Sequence, residues 1–499
     1  MSTIDAKAKG SNPTREQPRG IDVLWLVFLL TVAATLSLRP VAVVDADLWW
    51  HLRAGDWIIS HHAVPWRDVF GRYTLGHTWI DYTWLFDVLI ASLYKLKGLS
   101  GILAFTGTLI LASVACVFGL LSRRLSQGYA LSLSALFLLV IVPLATPRPW
   151  LFSMFLLIVE LRLLLCASEQ NRPYLLVWVV PLFAIWANLH VQFVYGLALL
   201  LLFAAVASLP RRYIGSDQHL LRLRVPWWWA SLAVAIGATL INPYGWRIYS
   251  VVWAYASQKT AVNFIEEMHA LAFRSVTDWA TLALFSLAVG SFAWSHKRSV
   301  LLPAFLLAGG WCGFHTQRDV WFLAVLSVAV TALAFREKTV AKPLNSWQTG
   351  IALLLAAGIY LAQLHWGDLS NQKLQQAVDQ SFPENASRYI ETHASPDPLF
   401  NPYDWGGYLM WRLPGRLVSI DGRAQLYGDD GLARFFATRT GAPGWRDSPE
   451  LQRANTVLAE RESPLASLLR MDPAYKLVYE DQSAVIFVHA DISNADDRR

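Results

Sequence analysis

The sequence predicts a polytopic α-helical membrane protein, with about 11 transmembrane helices followed by a small α/β domain outside the membrane. Three observations predict it. Charged residues make up 16% of the 499 and hydrophobic ones 55%, whereas soluble domains carry about 25% charged residues. Apolar stretches recur at 22–38, 101–122, 129–146, 150–167, 174–190, 193–209, 226–243, 279–295, 299–314, 319–335 and 348–365, and a bilayer crossing takes about 20 such residues. After Leu364 the composition turns polar and stays so to Arg499.

The elements follow in order. Residues 1–20 form a polar tail carrying Lys7, Lys9, Arg15 and Arg19, which the positive-inside rule assigns to the cytoplasm. No small-residue cleavage site follows Ile21–Leu38, so that span reads as a retained helix rather than a removed signal. The membrane domain covers 21–365, and its first external loop covers 39–100. Arg123-Arg124, the loop holding Arg211, Arg212, Arg222 and Arg224, and His296-Lys297-Arg298 all fall on the tail's side if crossings between 39 and 123 are odd. Tyr82–Leu96, short and bearing Asp87 and Lys95, is therefore read as a helix lying on or dipping into the outer face. The 24 Trp and 17 Tyr suit bilayer interfaces.

Residues 366–499 form the external α/β domain. Pro383-Glu384-Asn385 opens a helix with Pro in its first turn. Arg416–Ile420 and Ala474–Val488 alternate like strands, the second a hairpin turning near Asp481-Gln482. Asn401 to Gly407 and Asp421-Gly422-Arg423 read as turns. Cys116, Cys166 and Cys312 all lie in apolar spans, so no disulfide framework is indicated. A formal charge of +6 is modest for this length and gives no reason to expect a nucleic-acid partner.

Candidate chemistry gathers at the outer ends of the spans. Asp45 and Asp47 stand directly after the first span, in Asp45-Ala46-Asp47-Leu48-Trp49-Trp50-His51. Two carboxylates at this spacing can share a divalent cation, or one can act as base while the other positions it. The plainer reading is that they cap a helix over Leu48–Ile59. His51 and Arg53 on that helix could meet a phosphate, guanidinium being suited to bidentate contact. His190, between two apolar spans, would face a cavity or a partner rather than lipid, the plainer reading being an ordinary loop at the surface. His315 and Arg318 sit at another outer end, Arg318 being the best phosphate holder and Asp319 its plainer partner. Glu266, Glu267 and His269 could ligate a metal, although charged loops are more often only solvated. Tyr403, Asp404 and Trp405 could cradle a sugar or peptide acceptor, or hold a turn against a core.

An Asp-x-Asp in the first external loop, many spans and an external C-terminal domain resemble the GT-C superfamily of polyprenyl-phosphate-dependent glycosyltransferases. Its members include protein mannosyltransferases and oligosaccharyltransferase catalytic subunits. The chain also resembles a bacterial group marked by Asp-Leu-Trp-Trp-His-Leu and Trp-Gly-Gly-Tyr-Leu, a likeness that brings no activity of its own. The first resemblance implies that Asp45 or Asp47 acts as base toward the acceptor or ligates a divalent cation, Mg or Mn. Tyr403-Asp404-Trp405-Gly406 is similar to the acceptor-recognition motif Trp-Trp-Asp-Tyr-Gly, with the aromatics reordered and one Trp missing.

The expectation is a hexosyl or pentosyl transferase of the bacterial inner membrane. It would take a sugar from a lipid-linked donor to a glycan, lipid or protein acceptor on the periplasmic side, with Arg53, Arg318 and His190 steadying the departing phosphate. The rival classes are a transporter or flippase of a polar or lipidic solute, and a non-catalytic scaffold.

Overall fold

A computed structural model describes residues 20–258, 260–335, 346–367, 369–393 and 395–490. The basic tail at 1–19 lies outside them. Each of the eleven apolar stretches contains a helix, but length separates them. Trp84–Leu121, Gln127–Leu144, Trp150–Glu169, Val276–Trp294 and Gln317–Ala334 are long and apolar enough to cross a membrane. Counting two bent pairs, Phe193–Ala207 with Arg211–His219 and Gly350–Trp366 with Asn371–Ser381, raises these five to seven. Val225–Thr239 and Leu301–His315 have 15 residues each, roughly 22 Å at 1.5 Å per residue and short of a core about 30 Å thick. Against the eleven spans expected, five to seven helices among the described residues are long and apolar enough to cross. Hydropathy marks what avoids water, and it does not separate a short helix packed among others from one that crosses alone.

The hub of the bundle is Val320–Ala334, all of whose residues are buried. A helix apolar on every face is one surrounded by others. Against it pack Leu301–His315, Val276–Trp294, α3 (Trp84–Leu121), α4 (Gln127–Ile141) and α5 (Trp150–Glu169), while α1 (Gly20–Ser37) lies on α3 and α4, and α2 (Ala46–His61) precedes α3. α3 breaks at Gly98, where φ is 66° and ψ −154°, a conformation glycine adopts without a Cβ penalty. Asn371 satisfies the break, its Oδ1 accepting from Ser100 N at 2.9 Å and its Nδ2 donating to Lys97 O at 2.9 Å. The segment expected to be a separate outer helix, Tyr82–Leu96, is therefore the first arm of α3. That arm lies so close to α2 that a Cβ on Gly55 would sit 2.0 Å from the Asp87 carbonyl oxygen.

The C-terminal region holds one sheet in the order β1-β2-β4-β3: Leu399–Phe400, Thr456–Glu460, Ala484–His489 and Tyr475–Glu480. β1 pairs parallel with β2, and both other pairings are antiparallel. The hairpin expected over 474–488 is β3 and β4. Two other expectations fail. Arg416–Ile420 forms no strand but a single bridge to the segment between α2 and α3, Val418 N donating to Phe70 O at 3.1 Å and Arg72 N to Val418 O at 2.7 Å. Residues 403–407 are not a turn but the start of a helix, Tyr403–Arg412. Its glycines serve close approach: a Cβ would lie 1.9 Å from Ile420 O at Gly406 and 2.8 Å from Ala46 O at Gly407. That helix packs on α2, and Trp49, Phe382, Tyr408 and Trp411 share one aromatic core. The sheet region and the segment from α2 to the start of α3 are held together, and a cavity forms at their junction with the helix ends.

Candidate active site

Asp45 is the N-cap of α2, extended at φ −116° and ψ 127°, its Oδ1 accepting the Asp47 N–H at 2.9 Å. Aspartate is a favoured residue there because its oxygen meets an otherwise unpaired helix N–H. The capping reading of the sequence is right, and it does not exhaust Asp45. Its Oδ2 accepts from Arg148 Nε at 2.7 Å. Arg148 stands between Pro147 and Pro149 in the bend joining α4 to α5. Its Nη1 lies 3.1 Å from Asp47 Oδ2 and donates to Glu267 Oε2 at 2.5 Å. Glu267 Oε1 in turn lies 3.9 Å from Arg318 Nη1. One guanidinium thus draws together acids 103 and 119 residues away in sequence.

The group opens on a cavity of about 390 Å³ whose wall includes Asp47, His51, Arg148, His190, Glu267 and Arg318. Tyr403 and Asp404 face it from the C-terminal region. Tyr82 and Tyr255 meet hydroxyl to hydroxyl at 2.7 Å, and the Arg318 guanidinium lies 5.5 Å from the Tyr255 ring centre. His51 Nδ1 is 2.6 Å from Asp87 Oδ1, in the first turn of α3. His190 Nδ1 is 2.8 Å from Ser153 Oγ, which also accepts from Trp186 Nε1. Each imidazole is steered through one nitrogen, leaving Nε2 as its other polar atom.

Burial and charge set different protonation tendencies on these groups. Burial, with Asp45 and Glu267 adding to it, lifts the Asp47 carboxyl to about 6 in spite of Arg148. Burial would raise Glu267 as well, but Arg148 and Arg318 bring it below its ordinary value. Burial and then the Arg148 charge push His51 well below the usual imidazole value, and burial with Arg318 does the same to His190. The site therefore pairs an acid poised near neutrality with two neutral imidazoles, a combination that suits proton transfer.

Four residues that the sequence singled out, Arg53, His315, Trp405 and His269, are not brought in. Arg53 points off the opposite face of α2, donating to Pro414 O at 3.1 Å and lying near Asp56. A two-residue step on a helix turns the side chain by about 200° from His51. His315 is exposed and stacks on Trp311 at the end of its helix. Trp405 is buried in the aromatic core that holds the C-terminal region to α2. His269 Nε2 is 3.2 Å from Asn263 O, away from the acids. Conversely, Arg148, Asp87, Tyr82 and Tyr255 carried no motif signal. The one local hint was Arg148 between two prolines at the end of an apolar span, where a charge needs a partner.

No protein-family model matches this sequence, and no curated protein sequence matches it either. The fold does have a counterpart. The crystal structure of the Archaeoglobus fulgidus oligosaccharyltransferase, in complex with Zn and sulfate, aligns with a TM-score of 0.53 at 13% identity, over 93% of this chain and 73% of that one. The chain has the GT-C fold. The cryo-EM structure of the arabinofuranosyltransferase AftD from Mycobacteria aligns with a TM-score of 0.46 and 13% identity, over 93% of this chain and 40% of that one. At such identity the likeness is one of architecture, and the chemistry must be argued from this chain's own residues. Among the described residues no three His, Cys, Asp or Glu side chains are arranged to hold a metal ion.

Proposed function

We propose that this protein is a membrane glycosyltransferase that moves a sugar from a polyprenyl-phosphate-linked donor to an acceptor hydroxyl or amine on the periplasmic face. One observation carries the reading: Asp47, with its pKa near 6, shares one cavity with Arg318 and two neutral imidazoles in a chain of GT-C fold. Asp47 takes the proton from the acceptor as the acceptor oxygen or nitrogen bonds to the anomeric carbon. The bond from that carbon to the phosphate oxygen breaks, and its electron pair leaves with the lipid phosphate. Arg318, and His190 through Nε2, meet the charge that develops there. Preorganised donors of this kind are worth most where water is scarce. Tyr403 and Asp404, contributed by the C-terminal region, would face the acceptor, Asp404 being also 3.6 Å from Arg439.

The sidedness rests on charge. Arg123, Arg124, Arg222 and Lys297, drawn from three separate loops, gather around another cavity of about 550 Å³ that shares no residue with the site. Such a basic end suits the cytoplasmic face, which leaves the acids on the periplasmic one. The test is transfer of labelled sugar from synthetic polyprenyl-phosphate donors by the purified protein. Loss of product in Asp47→Asn, with folding retained, is the expected result. Full activity of that variant would end the proposal.

A further inference from the structure

The GT-C resemblance brings an expectation of a divalent cation on Asp45 and Asp47, and folding adds Glu267 to them. The donors do not fit one. Magnesium and calcium take about six to eight oxygens at roughly 2.0–2.6 Å, each with a lone pair turned to the ion. Asp45 has one oxygen on the helix cap at 2.9 Å and the other on Arg148 Nε at 2.7 Å. Asp47 has Oδ1 on the Trp50 indole N–H at 3.1 Å and Oδ2 facing Arg148 Nη1 at 3.1 Å. Glu267 is divided between Arg148 at 2.5 Å and Arg318 at 3.9 Å. The point on which three carboxylates converge is filled by a guanidinium.

We infer that Arg148 takes the place a cation would hold, so that the transfer proposed above, on which this inference rests, runs without a divalent metal. The three contacts are unequal, and the inequality assigns roles. Asp45 and Glu267 have the short bonds and stay as fixed counter-charges to Arg148. Asp47 has the longest contact and faces the cavity, so it is the carboxylate free to accept a proton. Arg148 acts through these acids as a positioning residue.

The experiment is a Mn²⁺ titration of the purified full-length protein, followed by electron paramagnetic resonance. The wild type is expected to bind no stoichiometric Mn²⁺ at the cluster. Arg148→Ala should uncover the carboxylates and tighten Mn²⁺ binding by at least about tenfold, since affinity follows the count of free charged ligands. Adding Asp47→Asn to that variant should reverse the gain. Arg148→Lys, which keeps the positive charge, should still exclude the ion, so the inference remains testable if the alanine variant fails to fold. Wild-type transfer should be unchanged by EDTA. A single Mn²⁺ bound by the wild type and released by Asp47→Asn overturns the inference. Absence of transfer from every polyprenyl-phosphate donor would strike the proposed function instead, a result to which the Mn²⁺ titration is blind.

Discussion

Arg423 and Arg148 each sit between carboxylates, and they differ in what closes around them. Arg423 bonds Asp68 at 2.6 Å and Asp421 at 2.7 Å, and all three side chains are fully buried. Its faces are covered by Trp79 and Phe70, with ring centres at 4.6 and 5.4 Å. The two acids also accept from Phe70 N, Gly71 N, Thr74 Oγ1 and Tyr427 Oη. Arg148 has comparable partners at comparable distances, yet its side chain is 20% exposed and those of Asp47 and Glu267 are 24% and 34% exposed, all three on a cavity wall. The same pairing serves two ends. Sealed and saturated, it ties the C-terminal region to the segment between α2 and α3. Open on one side, it leaves a carboxylate that a visitor can reach.

The comparison can be broken first at the sealed site. Arg423→Ala strands two buried acids and should cost about 3–5 kcal/mol, read as a fall in the thermal unfolding midpoint in detergent. Arg148→Ala should cost clearly less, because Asp47 and Glu267, part-exposed on the cavity, can turn toward water. If the two variants lost equal stability, the distinction between sealed and open would fail. Next comes Asp47→Asn, which should slow transfer by about 10²- to 10⁴-fold, the usual range for losing a general base, with folding retained. Asp45→Asn should fall between these two. Asparagine caps a helix about as well as aspartate, so the helix is kept while Arg148 loses one ionic partner. A partial loss of transfer measured at saturating donor would mark Asp45 as support for Asp47 rather than its substitute.

The dependence on pH sharpens the same contrast. Asp47 must be ionised to accept a proton, so the rate should climb as pH rises through about 6, and Asp47→Asn should erase that limb. Stability runs the other way. A carboxyl whose folded pKa lies above its ordinary 3.8 favours the folded state most when both states are protonated. That contribution is present below about pH 4 and is lost as pH rises toward 6. Unfolding midpoints of wild type against Asp47→Asn across this window check the sign. The smallest effects belong to Arg53→Ala and His315→Ala, both outside the cavity, each expected to change transfer by less than about twofold.

How far the sequence could be read depended on the range of the physics involved. Hydropathy is local, so helices at all eleven apolar stretches could be anticipated, along with the β3–β4 hairpin and the helix following Pro383. A cap involves a residue and its near neighbours, so Asp45 as cap was legible too. The Gly406-Gly407 pair was misread because glycine spacing cannot distinguish a turn from a place where another backbone passes close by. Arg53 and His51 looked equivalent in sequence, and the helix put them on different faces.

By itself the sequence determined a helical membrane protein with an acidic doublet at the lip of its first apolar helix, since composition and short-range hydrogen bonding suffice for both. Only the tertiary structure decided which basic group those acids would meet. Arg148 reaches them from the bend before α5, and Glu267 from a loop more than a hundred residues further on. No periodicity encodes that meeting, because it depends on how whole helices pack and on where their ends arrive.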